Sequence, residues 1–176
     1  GLDNPLVLAG EIPENSWNYR NTIQFHTGPT NKPGYRTAYG NAVVEIEECH
    51  LPAAVISEIW PALDLGPVPG LERIELRAGS DESVMFVLES STLDLPDLVI
   101  EQPLSVVINN PTGSIIVAGD DYLDFAVLGR NFQVSAASFF QVNTSMAEKL
   151  VSEIQNNLEI NGGDVVLDLY CGVGLF

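Results

Sequence analysis

The sequence has few basic residues, few cysteines and no long apolar run. Seven Lys and Arg residues stand against 24 Asp and Glu residues, which gives a formal net charge of −17. This charge repels nucleic acid at long range and favours solubility, so any contact with RNA must be local. No run reaches the roughly 18 apolar residues of a membrane-spanning helix. The first residues also lack the basic start of a signal peptide.

The shortage of cysteine limits what thiols can do in this chain. Cys49 and Cys171 lie far apart, and one pair makes a poor disulfide framework, which favours a reducing compartment. We therefore predict a cytoplasmic protein in which these two residues form no disulfide bond. His26 and His50 do not have the spacing of metal ligands, and neither is predicted to bind a metal.

What is present is enough for a folded core, because 45% of the 176 residues are apolar. The segment LPAAVISEIWPALDLG predicts a helix with Pro52 in its first turn and Pro61 at its kink or end. GSD and NNPTG predict two hairpins. Alternating runs predict strands, with AVVEIEEC as the return strand of the first: YRNTIQFHTG, AVVEIEEC, LERIELRAG, ESVMFVLES, LSVVINN, SIIVAG and FQVS.

From Asn143 onward the apolar period becomes that of a helix. Ser145 and Glu148 predict a capping box for a helix over 145–158. Asn161-Gly162-Gly163 predicts where that helix stops.

The last segment, VVLDLYCGVGLF, combines an apolar run with a glycine turn. The run 165–169 predicts a strand buried on both faces. In Asp168-x-x-x-Gly172-x-Gly174, the glycines let the backbone approach a ligand, and the acid suits an amine or ribose hydroxyls. From spacing alone, a cofactor site and a plain turn both stay open.

These patterns predict an α+β fold with two units. Residues 1–138 form a central domain with a mainly antiparallel sheet and few helices. Residues 139–176 supply the first helix and strand of a truncated, Rossmann-like α/β domain.

SFFQVN followed by VLDLYCGVG resembles the RNA uracil-5-methyltransferase family, as do WNYRNTIQF and VVEIEEC upstream. The resemblance runs from about Trp17 to the last residue. It implies methyl transfer from S-adenosylmethionine to C5 of a uridine in ribosomal or transfer RNA. It also implies that the chain is a fragment, inactive alone, whose nucleophilic Cys and general-base Glu lie beyond Phe176.

The family motif implies a set of cofactor-binding residues: Gln141, Asp168, Tyr170, Gly172 and Gly174. Leu175 departs from the small or polar residue common there, so one contact is weakened. A satisfied polar side chain is the alternative role for Gln141. Phe139 and Phe140 are predicted to lie in the core.

The resemblance also bears on both cysteines. Cys171 is predicted to be a loop residue packed beside the cofactor rather than the nucleophile. Cys49 matches the fourth ligand of a 4Fe–4S cluster that some members hold. Its three partner cysteines are absent here, so a cluster is expected only in a full-length protein. A free cysteine before a helix stays the alternative.

The RNA-contact candidates are clustered near the start of the chain: Trp17, Arg20, Lys32 and Arg36. Phosphate contacts and base stacking use such a mixture of basic and aromatic residues. We predict that the three basic residues share one exposed face with a partly exposed aromatic neighbour. An ordinary solvated hairpin is the alternative.

Two other functions stay open at this stage. One is a methyltransferase of similar architecture with a non-RNA substrate, which the acidity would suit. The other is a non-catalytic acidic interaction domain. We expect no membrane partner. We expect the run 165–169 to dock on the helix 145–158, on the sheet, or on a second copy in a homodimer formed through this tail.

Overall fold

The computed structural model describes residues 9–63, 68–92 and 104–176. In these ranges the chain forms nine strands and two α-helices, and a 3-10 turn at Trp60–Ala62 follows the first helix. Their bounds are β1 Thr22–Thr27, β2 Pro33–Arg36, β3 Val43–Glu45, α1 Ala54–Ile59, β4 Leu71–Ala78, β5 Val84–Ser90, β6 Leu104–Asn110, β7 Gly113–Ala118, β8 Tyr122–Val127, β9 Arg130–Ser135 and α2 Thr144–Asn157.

Seven strands form one sheet in the order β3-β2-β1-β4-β5-β6-β7, and β8 and β9 form a separate hairpin. All neighbours are antiparallel except β5 and β6, which run parallel with Val84 opposite Leu104. The predicted mainly antiparallel sheet with few helices is therefore confirmed, as are both predicted hairpins. Neither described helix has the length and apolar character that crossing a membrane requires.

One face of the sheet carries a closed apolar core, which we call the first core. Alternate residues of β4, among them Ile74 and Leu76, point into it with Phe25 of β1 and Phe86 of β5. Helix α1 covers this face with Ile56 and neighbouring apolar residues. The alternation of β4 leaves its remaining side chains for the opposite face.

The opposite face is only partly apolar. Met85 and Val87 of β5 and Val107 of β6 lie in a second core with the β8–β9 hairpin and α2. Since β5 is buried on both faces, its sequence is a continuous apolar run rather than an alternating one. The β1 and β4 part of this same face is polar, and it adjoins the candidate site.

The first hairpin differs from the sequence prediction. β3, within AVVEIEEC, pairs with β2 and not with β1 as its return strand. Pro33 and Gly34, residue types that usually interrupt strands, begin β2. A Cβ at Gly34 would lie 2.3 Å from the carbonyl oxygen of Val44, so the glycine permits a close strand approach.

Proline placement was predicted correctly at one position. α1 ends where the 3-10 turn containing Pro61 begins, as expected. Pro52 lies before the helix rather than in its first turn, because α1 starts only at Ala54.

The capping box at α2 was a wrong prediction. Asn143 is the N-cap, and its Oδ1 accepts hydrogen bonds from Met146 N at 3.1 Å and Ser145 Oγ at 3.0 Å. Asn is a strong N-cap residue, so it displaces Ser145 from that role. Glu148 instead accepts a bond from Leu128 N, in the β8–β9 turn, at 2.9 Å.

The run 165–169 forms no strand in the described structure, which contradicts the prediction. Val165, Val166, Leu167 and Leu169 are all exposed, so the run docks on neither α2 nor the sheet. A strand needs a neighbour for its backbone groups, and none of the described strands lies beside it. Val173 and Leu175 pack into the second core instead.

Candidate cofactor and RNA-binding sites

The candidate site is built around the linking segment, residues 136–143, which joins β9 to α2. Asn21, just before β1, holds one end of it. Asn21 Nδ2 donates to Gln141 O at 2.9 Å and to Thr144 Oγ1 at 3.0 Å. Asn21 N donates to Val142 O at 2.8 Å. The linking segment is thus fastened directly to the sheet.

Arg77 of β4 holds the other end. Its Nη1 donates to Ser135 O and to Ser138 O, each at 3.1 Å. Nε and Nη2 donate to Glu75 Oε1 at 3.0 and 2.5 Å. Both charged side chains are 7% exposed, so this is a buried ion pair that also carries backbone contacts.

The aromatic pair in the linking segment is split between core and solvent. Phe140 is buried in the second core, as predicted, with its ring centroid 4.4 Å from that of Phe125. Phe139 is 76% exposed, so its assignment to the core was wrong. Neighbouring residues of an extended segment point to opposite sides, and only one side faces the core. Gln141 is half-buried beside this pair.

A polar cleft of about 490 Å³ lies beside Phe139 on the partly apolar face of the sheet. Sequence reasoning missed it, because alternate polar residues on β4 are typical of a solvated face. Glu75 also accepts a bond from Gln24 Nε2 at 2.5 Å, and Arg73 pairs with Glu89. The polar lining of the cleft includes Gln24, Arg73, Glu75, Arg77, Glu89 and Asn109.

The glycine turn has an unusual backbone and open space above it. Tyr170, Gly172 and Gly174 have φ values of 66°, 58° and 76°. Gly174 N donates to Cys171 O at 2.9 Å. A Cβ at either glycine would have nothing within 4 Å. The turn therefore presents bare backbone to solvent, which is what close approach of a ligand requires.

The linking segment and the glycine turn, which together form the candidate site, meet at the second core. Phe140 from the linking segment and Leu175 after the glycine turn both belong to it, together with Val151 of α2. Leu175 thus has a packing role, which accounts for an apolar residue there. Asp168, Tyr170 and Cys171 are exposed, and the packing of Cys171 beside a cofactor stays a prediction.

Comparison with known proteins finds relatives that are named RNA methyltransferases. An uncharacterized RNA methyltransferase of Streptomyces avermitilis is 30% identical over 172 residues, 96% of this chain and 38% of its own length. The 23S rRNA (uracil(1939)-C(5))-methyltransferase RlmD of Psychromonas ingrahamii is 26% identical over 191 residues, 98% of this chain and 43% of its own length. No protein-family model matches the chain.

A solved structure gives the fold. Pyrococcus abyssi tRNA (uracil-54, C5)-methyltransferase, solved in complex with S-adenosyl-L-homocysteine, superposes with a TM-score of 0.69 at 22% identity. The match covers 93% of this chain and 46% of that protein. These matches confirm the resemblance to the RNA uracil-5-methyltransferase family. The chain spans less than half the length of each of these relatives.

The RNA-contact candidates predicted from the sequence lie in different environments. Lys32 and Arg36 are exposed at β2, and Trp17 is 60% exposed with its ring edge-on to His50 at 5.5 Å. Arg20 is half-buried, with its guanidinium 6.0 Å from the Tyr19 ring centroid. Whether the basic residues share one face stays a prediction, but exposed aromatic neighbours are present.

Cys49, the proposed cluster ligand of the family, lies in a half-buried position. Its Sγ is 3.7 Å from Tyr35 Oη, and burial together with this contact raises the pKa of Tyr35 above its ordinary range. Cys49 and Cys171 are both free thiols. Among the described ranges, no group of three His, Cys, Asp or Glu side chains is arranged to hold a metal.

Proposed function

We propose that the protein to which this chain belongs is an S-adenosylmethionine-dependent RNA methyltransferase that modifies C5 of a uridine in ribosomal or transfer RNA. The observation that carries the proposal is the convergence of the linking segment and the glycine turn on one core. The two relatives named above align with nearly the whole of this chain, and both are named as RNA methyltransferases. The nucleophilic Cys and general-base Glu of this reaction belong, in this proposal, to parts of the protein outside residues 1–176.

The residues present fit the proposed cofactor. Gly172 and Gly174 leave open backbone where the cofactor would lie. The Asp168 carboxylate is exposed after the run 165–167 and suits ribose hydroxyls or an amine. Gln141 and Tyr170 complete the proposed set. When bound, S-adenosylmethionine supplies the methyl group, and these residues orient it.

The proposed domain division places residues 1–138 in a central domain and 139–176 at the start of the cofactor-binding domain. The exposed run 165–169 favours this division, since its apolar side chains suit a strand covered by further strands and helices. A cluster ligated by Cys49 in the full-length protein belongs to the proposal only if three further cysteines are supplied from outside this chain.

Calorimetric titration with S-adenosylhomocysteine tests the cofactor assignment. We expect residues 1–176 alone to show no micromolar binding and no methyl transfer, because the glycine turn is one wall of the site. A longer protein with the complete cofactor domain should bind. Gly172→Ala should then weaken binding, because alanine strains at φ 58° and fills the open space.

Gly129→Ala is the matched control for that variant. Gly129 lies in the β8–β9 turn, has φ 74° and also has nothing within 4 Å of a Cβ. The two substitutions should lower stability equally, while only Gly172→Ala weakens binding. Equal affinities in both variants would remove the cofactor role of the turn.

RNA binding is tested at several salt concentrations. Arg36→Ala should weaken binding and reduce its salt dependence, whereas Arg130→Ala, an exposed arginine in β9, should not. The net charge of −17 favours a second candidate, a methyltransferase with a non-RNA substrate. Cofactor binding without RNA binding supports that candidate. Absence of both in the longer protein supports a non-catalytic acidic interaction domain.

A further inference from the structure

Two buried side chains, one just before β1 and one on the neighbouring β4, hold the segment that carries Phe139 and Gln141. We propose that Asn21 and Arg77 are positioning residues: they fix the linking segment on the sheet and thereby set where Gln141 meets the cofactor. The inference rests on the proposed function, since it assigns a role at the same site. Neither residue touches the reacting atoms in this proposal.

Asn21 is suited to this role because its amide is fully engaged. The residue is 9% exposed. Its Nδ2 donates to a carbonyl oxygen of the linking segment, Gln141 O, and to Thr144 Oγ1, and its Oδ1 accepts from Thr22 Oγ1 at 2.9 Å. Its carbonyl accepts from Ala78 N at 2.8 Å. A shift of Gln141 would therefore break a buried bond, whose loss is costly.

Arg77 is suited because a guanidinium donates in several fixed directions at once. One edge meets Glu75, which offsets the buried charge, and Nη1 reaches two carbonyl oxygens. A lysine ammonium is a compact point charge without this planar fork, so it cannot reproduce the arrangement. Ser138 is further held by its N–H to Ser135 O at 2.9 Å.

Asn21, just before β1, and Arg77, on the neighbouring β4, act on either side of the aromatic pair. Thr22, next to Asn21, is paired with Arg77 in the β1–β4 register. Between their contacts at Ser138 and Gln141 stand Phe139, which is exposed, and Phe140, which is 6% exposed. Fixing both ends of so short a stretch determines which aromatic ring enters the core and which faces the solvent.

The test uses the longer protein, with S-adenosylhomocysteine as the probe. Asn21→Ala should raise its dissociation constant about tenfold, the effect of one buried hydrogen bond. Arg77→Lys should also weaken binding while keeping the charge beside Glu75. Thr144→Ala is the matched control: it removes the other acceptor of Asn21 Nδ2 and leaves the bond to Gln141, so binding should change by less than about twofold.

Hydrogen exchange separates positioning from general destabilisation. In Asn21→Ala, the amide of residue 21, which donates to Val142 O, should exchange faster, while those of β4 and β5 keep their protection. Faster exchange throughout the sheet, or binding unchanged in both folded variants, would overturn the inference. If the unsubstituted protein does not bind the probe, the proposed function fails, and the local exchange result still decides whether these residues fix the segment.

Discussion

The two faces of the seven-stranded sheet are built in different ways. One face is covered by α1 and contains apolar side chains from β1, β4, β5 and β6. The other is apolar only under the β8–β9 hairpin and α2, and its β1–β4 part carries Gln24, Glu75 and Arg77. The same strands supply both faces, because their side chains alternate.

This difference shows which face mainly stabilises the fold and which face positions the linking segment. Apolar burial is the main source of stability, and the first core stabilises the sheet through it. The buried Glu75–Arg77 pair is a weak source of net stability, since desolvation offsets its attraction. The pair instead fixes positions, because Arg77 donates hydrogen bonds to Ser135 O at the end of β9 and to Ser138 O in the linking segment.

The largest loss of stability should come from removing a fully buried aromatic ring from one of the two cores. Phe25→Ala and Phe125→Ala each remove a fully buried ring and should each lower the free energy of unfolding by about 3–5 kcal/mol. Phe25 packs against Trp60, with ring centroids 5.1 Å apart, whereas Phe125 packs against Phe140 of the linking segment. Denaturant titration measures both losses.

Ligand affinity then distinguishes the two faces. Phe125→Ala should also weaken binding of S-adenosylhomocysteine in the longer protein, because it loosens the support of the linking segment. Phe25→Ala should leave the affinity of the remaining folded protein unchanged. If a variant is too unstable to measure, Phe→Leu at the same position provides the comparison. Equal affinities would show that the faces do not differ in this way.

Sequence reasoning recovered β4 and β5 but missed β8, although Leu123, Phe125 and Val127 alternate there and lie in the second core. LERIELRA alternates and forms β4, and VMFVLES forms β5. It could not recover the burial of Glu75 and Arg77, because the linking segment that covers them lies about 60 residues further along the chain. Alternation shows that two residues share a face but does not show what comes to cover that face.

The errors at the candidate site have a related cause. Phe139 and Phe140 have the same side chain, and tertiary contacts such as that between Phe125 and Phe140 distinguish the buried ring from the exposed one. The run 165–169 has strand composition, yet strand formation depends on pairing partners that the described residues do not provide. In contrast, the turn at Gly172 and Gly174 follows from the local sequence, because glycine readily adopts the positive φ values found there. Their role in binding a cofactor stays a prediction.

A smaller but still large effect should follow from breaking the buried pair. Glu75→Gln leaves the Arg77 charge buried without its carboxylate partner and should cost about 3 kcal/mol of stability. The double variant Glu75→Gln, Arg77→Met should lose less than the sum of the single losses, which a double-mutant cycle measures. Additive losses would mean that the two side chains are not energetically coupled.

The smallest effect concerns Glu45, a partly exposed carboxylate that serves as the comparison for the buried Glu75. Glu45 lies at the end of β3 and accepts bonds from Thr30 Oγ1 at 2.7 Å and Thr30 N at 2.6 Å. The Thr30 hydroxyl, then the Thr30 backbone N–H, hold the pKa of Glu45 below its ordinary value. Since the folded pKa is lower than the unfolded one, this stabilisation is fully present above about pH 4.3. It is lost as the pH falls through the folded pKa.

Thr30→Val tests the effect of Thr30 on the pKa of Glu45, because it removes the hydroxyl donor and retains the backbone N–H donor. The pKa of Glu45, followed by NMR of its carboxyl group, should rise toward the ordinary value. The loss of stability on acidification should become slightly shallower, and stability at pH 7 should fall far less than in Glu75→Gln, because solvent screens an exposed carboxylate. An unchanged titration would contradict the assigned cause. A loss at pH 7 as large as that of Glu75→Gln would instead show that burial is not what distinguishes the two carboxylates.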